Sequence, residues 1–302
     1  MSQPTIALQN TLRRVARVAS RDDLIFLLVA VNALMLGVET YLAHLISQTI
    51  RPNEWLPIVL GPVIGVALLL AFALRRRQQT ISAVLAVIAL ASSVVVGLLG
   101  TFFHLQRAVL PAAPLGQTTS LARLVWSPPV IAPLAFVLIG FFGLVAYMRE
   151  VPQGSGLLRL AGRVSVRLPV SKMRAYFLLT CLGVLLAAVS SVMDHVHTDF
   201  SNRWLWVPTL LGIFGTVVTL LLGLIGKPTR SDVITFAGTM IALLLVGPLG
   251  VFFHVLSDLN AQHVVVVEQF IRGAPVLAPL VFSNMALFGL LVLIPQTDAR
   301  EG

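Results

Sequence analysis

Val96-Gly-Leu-Leu-Gly-Thr-Phe-Phe-His104 and Val246-Gly-Pro-Leu-Gly-Val-Phe-Phe-His254 agree at seven of nine positions, 150 residues apart in a chain of 302. A match that ends on the same histidine exceeds what two apolar runs share by composition. The likeness extends outward in near register. At a separation of 146, Pro129-Val-Ile-Ala-Pro-Leu-Ala-Phe136 pairs with Pro275-Val-Leu-Ala-Pro-Leu-Val-Phe282, and at 151, Trp55, Pro57 and Gly61 pair with Trp206, Pro208 and Gly212. The chain therefore reads as a tandem duplication.

The medium in which the two copies fold follows from composition. Apolar side chains make up 57% of the chain and charged ones 11%, with a mean hydropathy of +0.94. A soluble domain carries about 25% charged residues, so this chain has too little polar surface to cover a water-exposed exterior, and soluble enzyme folds are excluded. A helix crossing a bilayer needs roughly 20 apolar residues, and eight stretches qualify: 24–46, 55–74, 81–105, 129–147, 175–197, 205–226, 233–256 and 275–295. The expected fold is an all-α integral membrane protein with eight transmembrane helices. They form two tandem four-helix units, and because each unit has an even number of spans, the pseudo-two-fold axis relating them runs along the membrane normal. The expected divisions are an amphipathic cytoplasmic segment at 1–21, a first unit at 22–148, a basic cytoplasmic linker at 149–172 and a second unit at 173–302. Arg13, Arg14 and Arg17 precede an apolar run too long for a signal peptide's core, so the first span is read as retained.

The net charge of +9 is a topology signal. With the N-terminus inside, sixteen of the 21 Lys and Arg fall on inner segments, and only Arg51, Arg107, Arg123, Arg203 and Arg272 fall outside. This bias sets both termini in the cytoplasm, with a bacterial cytoplasmic membrane as the expected location, and it leaves no basic patch calling for nucleic acid. Trp55, Trp126, Trp204 and Trp206 then lie at the outer boundary, where an amphipathic ring is favoured.

Five of six histidines sit at the outer ends of odd-numbered spans: His44, His104, His195, His197 and His254. His195 falls on His44 at a separation of 151, and His254 on His104 at 150, so each copy contributes two equivalent imidazoles; His197 has no counterpart. Neutral imidazole is the commonest metal ligand, and the single Cys181 excludes thiolate sites and covalent haem attachment. Seven and four residues before each histidine stand Gly37 and Thr40, Gly97 and Gly100, Ala188 and Ser191, and Gly247 and Gly250, all small and on one stripe. Such a stripe admits a flat ligand or a close helix neighbour. The placement resembles the bis-histidine four-helix units of membrane b-type cytochromes. That resemblance implies haem b between His44 and His104 and between His195 and His254, with Arg107 and Arg272 among the outer arginines available to its propionates.

The function expected first is electron transfer between a membrane quinone and an extracytoplasmic redox partner. Glu39 and Asp194 are the candidates for proton transfer or for orienting an imidazole, because an intramembrane carboxylate is costly. The alternatives are a non-haem Fe, Cu or Zn membrane metalloenzyme with a four-histidine site at the repeat interface, and a cofactor-free transporter or structural membrane subunit.

Overall fold

A computed structural model of the chain describes residues 20–45, 50–109, 129–160, 164–196, 200–262 and 277–295. The expected amphipathic segment at 1–21 lies outside the described residues apart from its last two. The described chain is mostly helical: α1 (Arg21–Leu45), α2 (Trp55–Leu74), α3 (Gln79–Val109), α4 (Leu134–Tyr147), α5 (Lys172–Val196), α6 (Trp206–Leu224), α7 (Arg230–Gln262) and α8 (Leu280–Val292). Six of these are long and apolar enough to cross a membrane, namely all but α4 and α8.

Helix starts are set by short polar signals. Asp23 N–H donates to Ser20 Oγ at 3.1 Å and Ser20 N–H returns to Asp23 Oδ2 at 3.4 Å, so a reciprocal capping box opens α1. Thr229 and Asp232 repeat the device at α7, with the Thr229 N–H donating to Asp232 Oδ2 at 2.7 Å. At α4 and α8 the starts differ from the expected 129 and 275, because proline cannot supply the N–H that a regular first turn would use. Tight turns come first, with Leu134 N–H donating to Ile131 O and Leu280 N–H to Leu277 O, both at 3.0 Å. The helices proper then hold 14 and 13 residues, about 20 Å at 1.5 Å per residue.

In the first half, α1 packs on α2, α2 on α3, α3 on α4 and α4 on α1, which leaves α1 and α3 diagonal; α5 to α8 follow the same order. The seams are made by small residues. A Cβ on Gly61 would lie 2.8 Å from the Cα and N of Gly37, so α1 and α2 touch backbone to backbone. Ser93 Oγ donates to Phe136 O and Ser283 Oγ to Leu244 O, both at 2.7 Å, tying α3 to α4 and α7 to α8.

The halves meet along α1–α8 and α4–α5. Phe142 and Phe288, which correspond in the repeat, stack on each other with centroids 4.3 Å apart. Beside them Asn32 Nδ2 donates to Asn284 Oδ1 at 3.1 Å, and Asn284 Nδ2 donates back to Asn32 Oδ1. Asn32→Leu should strand the Asn284 amide and cost about 1–2 kcal/mol, as such bonds do between membrane helices. The double change to leucine should recover most of that. Denaturant titration of the three variants in detergent would read it; equal losses in the single and double variants would contradict a coupled pair.

A second tie joins the halves at the opposite end from the histidines. Lys172 is wholly buried, and its Nζ donates to Asp22 Oδ2 at 2.6 Å and to Met148 O at 2.5 Å. The Tyr176 hydroxyl donates to Asp22 Oδ1 at 2.9 Å, and Arg21 Nε lies 3.5 Å from the same oxygen. Arg75 pairs with the adjacent Asp23. Lys172 and Arg21, counted above as surface charge, are thus partly spent on burying an aspartate.

The segment read as a basic linker carries a small sheet within the mostly helical chain. β1 (Arg149–Glu150), β2 (Leu157–Leu160) and β3 (Val164–Arg167) form a three-stranded antiparallel sheet in that order. Gly154 and Gly156 turn between β1 and β2 with φ of 77° and 73°, and Glu150 Oε1 accepts from the N–H groups of Gly156 and Lys172 at 2.7 and 3.0 Å. One carboxylate therefore braces the turn and the start of α5. Alternation of apolar and polar residues over 158–160 and 164–167 carries this signal.

Candidate functional site

α1 and α3 bring His44 and His104 together across the diagonal of the first half, with ring centroids 6.2 Å apart and planes at 63°. Each Nδ1 is committed to a backbone carbonyl: that of His44 donates to Thr40 O at 2.7 Å, and that of His104 to Pro129 O at 2.9 Å. A carbonyl can only accept, so each Nδ1 carries a proton. This is how metal-binding histidines are commonly oriented. The irregular start of α4 matters here, because the turn before it supplies the Pro129 carbonyl.

In the second half, His195 near the end of α5 lies within electrostatic range of His254 on α7. Its Nδ1 is 3.3 Å from Ser191 Oγ, and its ring packs edge-on against Phe200, which in turn lies 4.7 Å from Trp206. Thr40 and Ser191, at matching repeat positions four residues before the histidines, thus both engage the imidazole, one by its carbonyl and one by its hydroxyl. His197 and Arg272 lie outside the described residues.

Among the described residues no three His, Cys, Asp or Glu side chains gather as metal ligands. His44 and His104 form a ring pair, and His195 interacts electrostatically with His254. Two imidazoles leave a bare zinc ion short of the three or four protein ligands it ordinarily takes. An iron porphyrin needs only axial ligands from the protein. His44 and His104, two imidazoles side by side, are therefore a donor set that could hold a haem.

The glycine stripes below the histidines are occupied by protein. A Cβ on Gly100 would lie 2.8 Å from Pro133 Cβ, and one on Gly250 would lie 2.5 Å from Pro279 Cβ. Gly97 meets Pro133 O and Val137, and Gly247 meets Pro279 O and Ser283. These four glycines seat the starts of α4 and α8, so a haem held by the histidine pairs would not lie against them. Arg107 is likewise committed, its guanidinium donating to Glu54 Oε1 at 3.0 Å while the Arg51 N–H donates to Oε2 at 2.9 Å. Asp194 is exposed near the end of α5. Glu39 is half-buried, seven residues above Asn32 on the α1 face that meets α8.

Two buried carboxylates lie near the histidines. Glu54 is 6% exposed beside His104, and Asp258, one turn past His254, is 4% exposed because α7 runs on to Gln262. Glu54 stands immediately before a boundary tryptophan, a position that reads as surface and that sequence reasoning missed. Asp258 lies past the end of the apolar run, where the sequence alone reads as loop.

No protein-family model, curated protein or solved structure matches the chain.

Proposed function

We propose that the protein is a membrane electron carrier that holds haem b between His44 and His104 and between His195 and His254. The observation that carries this reading is the His44–His104 pair, 6.2 Å apart, with both Nδ1 groups held by carbonyls. When bound, the haem would supply one-electron chemistry. His44 and His104 would hold the group in the first half, with the Thr40 and Pro129 carbonyls fixing their rings. The quinone and the extracytoplasmic acceptor belong to the same proposal, with Glu39 taking the proton that quinol releases beside the α1–α8 seam.

The arrangement of the spans is also part of the reading. α4 and α8, with the turns before them, cross as the fourth and eighth of eight spans, the last of each four-helix unit, and the two halves turn about an axis along the membrane normal through the Phe142–Phe288 stack. Recurrence of the glycine–proline contacts at matched positions supports this. Both termini lie inside by the bias of basic residues, and a reporter fused after Gly302 that reads as external would reverse it.

The test is a reduced-minus-oxidised visible spectrum with iron analysis on the purified protein. Wild type should show b-type bands, and His104→Ala or His254→Ala should each remove roughly half of the haem, one of two bis-histidine sites. A colourless, iron-free wild type overturns the proposal. Zinc or copper lost only in the histidine variants would replace it with the metalloenzyme reading.

A further inference from the structure

The sheet between the halves has two unlike faces. Arg149 lies directly opposite Arg159, and Arg159 opposite Ser165, while Leu157 faces Arg167. Successive residues of a strand alternate faces, so Arg149, Arg159 and Arg167 share one side and Leu158, Leu160, Val164 and Val166 the other. Like charges facing each other across a strand pair are unfavourable, and among the described residues none of the three arginines forms a salt bridge. The nearest carboxylate of the sheet, Glu150, lies on the apolar side and is engaged by two backbone N–H groups.

The apolar side is only partly covered by protein. Leu158 is 2% exposed, yet Val164 and Val166 on the edge strand β3 are 52% and 46% exposed. Beneath them a crevice of about 160 Å³ opens against Val87, Leu90, Leu144 and Tyr147, with apolar atoms alone on its walls. Val87 and Leu90 stand roughly 12 and 16 Å along α3 from its start, a depth that reaches hydrocarbon when the sheet lies at the membrane surface. Ile88 beside them is 60% exposed, as a lipid-facing side chain is.

We propose that this sheet is an interfacial binding site for an anionic glycerophospholipid. One acyl chain lies in the crevice under Val164 and Val166, and the phosphate is held at headgroup level by Arg149, Arg159 and Arg167. A flat amphipathic element lying in the interface, apolar side down and basic side among headgroups, obeys the same balance as a surface helix. Arginine stems reach around a sheet edge to keep the guanidinium in the polar layer. The lipid's negative charge relieves the opposition of Arg149 and Arg159, and its chain covers the two valines. The site does not depend on the histidine pairs.

Native mass spectrometry of the full chain in detergent, titrated with phosphatidylglycerol or with phosphatidylcholine of the same acyl chains, tests it. Wild type should retain phosphatidylglycerol preferentially, with a preference that weakens in salt. Each basic residue near an anionic lipid surface contributes roughly fivefold in affinity, so Arg149→Gln, Arg159→Gln and Arg167→Gln together should reduce phosphatidylglycerol binding by roughly a hundredfold, to the phosphatidylcholine level. Val164→Asp should weaken both lipids. Glycerophosphoglycerol, which lacks acyl chains, should fail to compete. Equal retention of the two lipids by wild type overturns the proposal without recourse to any variant. So does full competition by the chainless headgroup, which would mark a simple phosphate site, or a triple variant that keeps its preference.

Discussion

Asp22→Ala should destabilise the folded protein by about 3–5 kcal/mol, the usual cost of breaking a buried ion pair from one side. Asp22 accepts from Lys172 Nζ and the Tyr176 hydroxyl and lies against Arg21 Nε, and Lys172 is completely buried. Removing the carboxylate leaves the ammonium with Met148 O as its remaining partner in a site that water does not reach. Since α1 supplies Asp22 and α5 supplies Lys172, the loss falls on the contact between halves. Asp22→Leu with Lys172→Met removes both charges at similar volume and should recover most of the stability, with Arg21 still near and recovery therefore incomplete. Denaturant titration in detergent, followed by far-ultraviolet circular dichroism, gives the cycle. A single change costing under about 1 kcal/mol, the range of exposed pairs, would mean that the pair is solvated.

Gly61→Leu should cost more than about 3 kcal/mol, the upper end of ordinary overpacking, because the new side chain has backbone to displace. Even a Cβ at that position would sit 2.8 Å from Gly37 Cα and N and 2.9 Å from Ala33 O. Helix backbones cannot yield by changing rotamer, so α1 and α2 must separate, carrying His44 away from His104. The same purified variant should therefore lose its melting transition at lower temperature and lose haem from the first site while His195 and His254 keep theirs. Gly238 is the control. A Cβ there meets nothing within 4 Å, and Gly238→Ala should stabilise α7 by up to about 1 kcal/mol, the helix propensity difference. If Gly61→Leu and Gly238→Leu cost alike, close helix approach is not what Gly61 provides.

Apolar runs, the nine-residue match and the spacing of the histidines were legible because each is a linear property: some twenty apolar residues are long enough to cross a membrane, and matched motifs are read directly along the chain. The sequence could also rank small residues as contact points. It could not say what they contact. Gly100 and Gly250 looked like the walls of a ligand groove, and Pro133 and Pro279 fill it, because a stripe of small residues invites a neighbouring helix as readily as a cofactor. Arg107 looked available until α3 brought it to Glu54, 53 residues away in the chain.

By itself, then, the sequence determined the apolar, multi-pass character, the helical class, the matched motifs 150 residues apart and the position of four imidazoles along their helices, since hydropathy and spacing act through local chain geometry. Only the tertiary structure decided which imidazoles meet and which carbonyls hold His44 and His104. It also decided that Asp22, Lys172 and Tyr176 lock the halves together, and that the basic segment between the halves is a two-faced sheet. Each of these depends on helix rotation and on partners distant in the chain. Rotation is set by the summed packing of whole helix faces, which no single stretch of residues encodes.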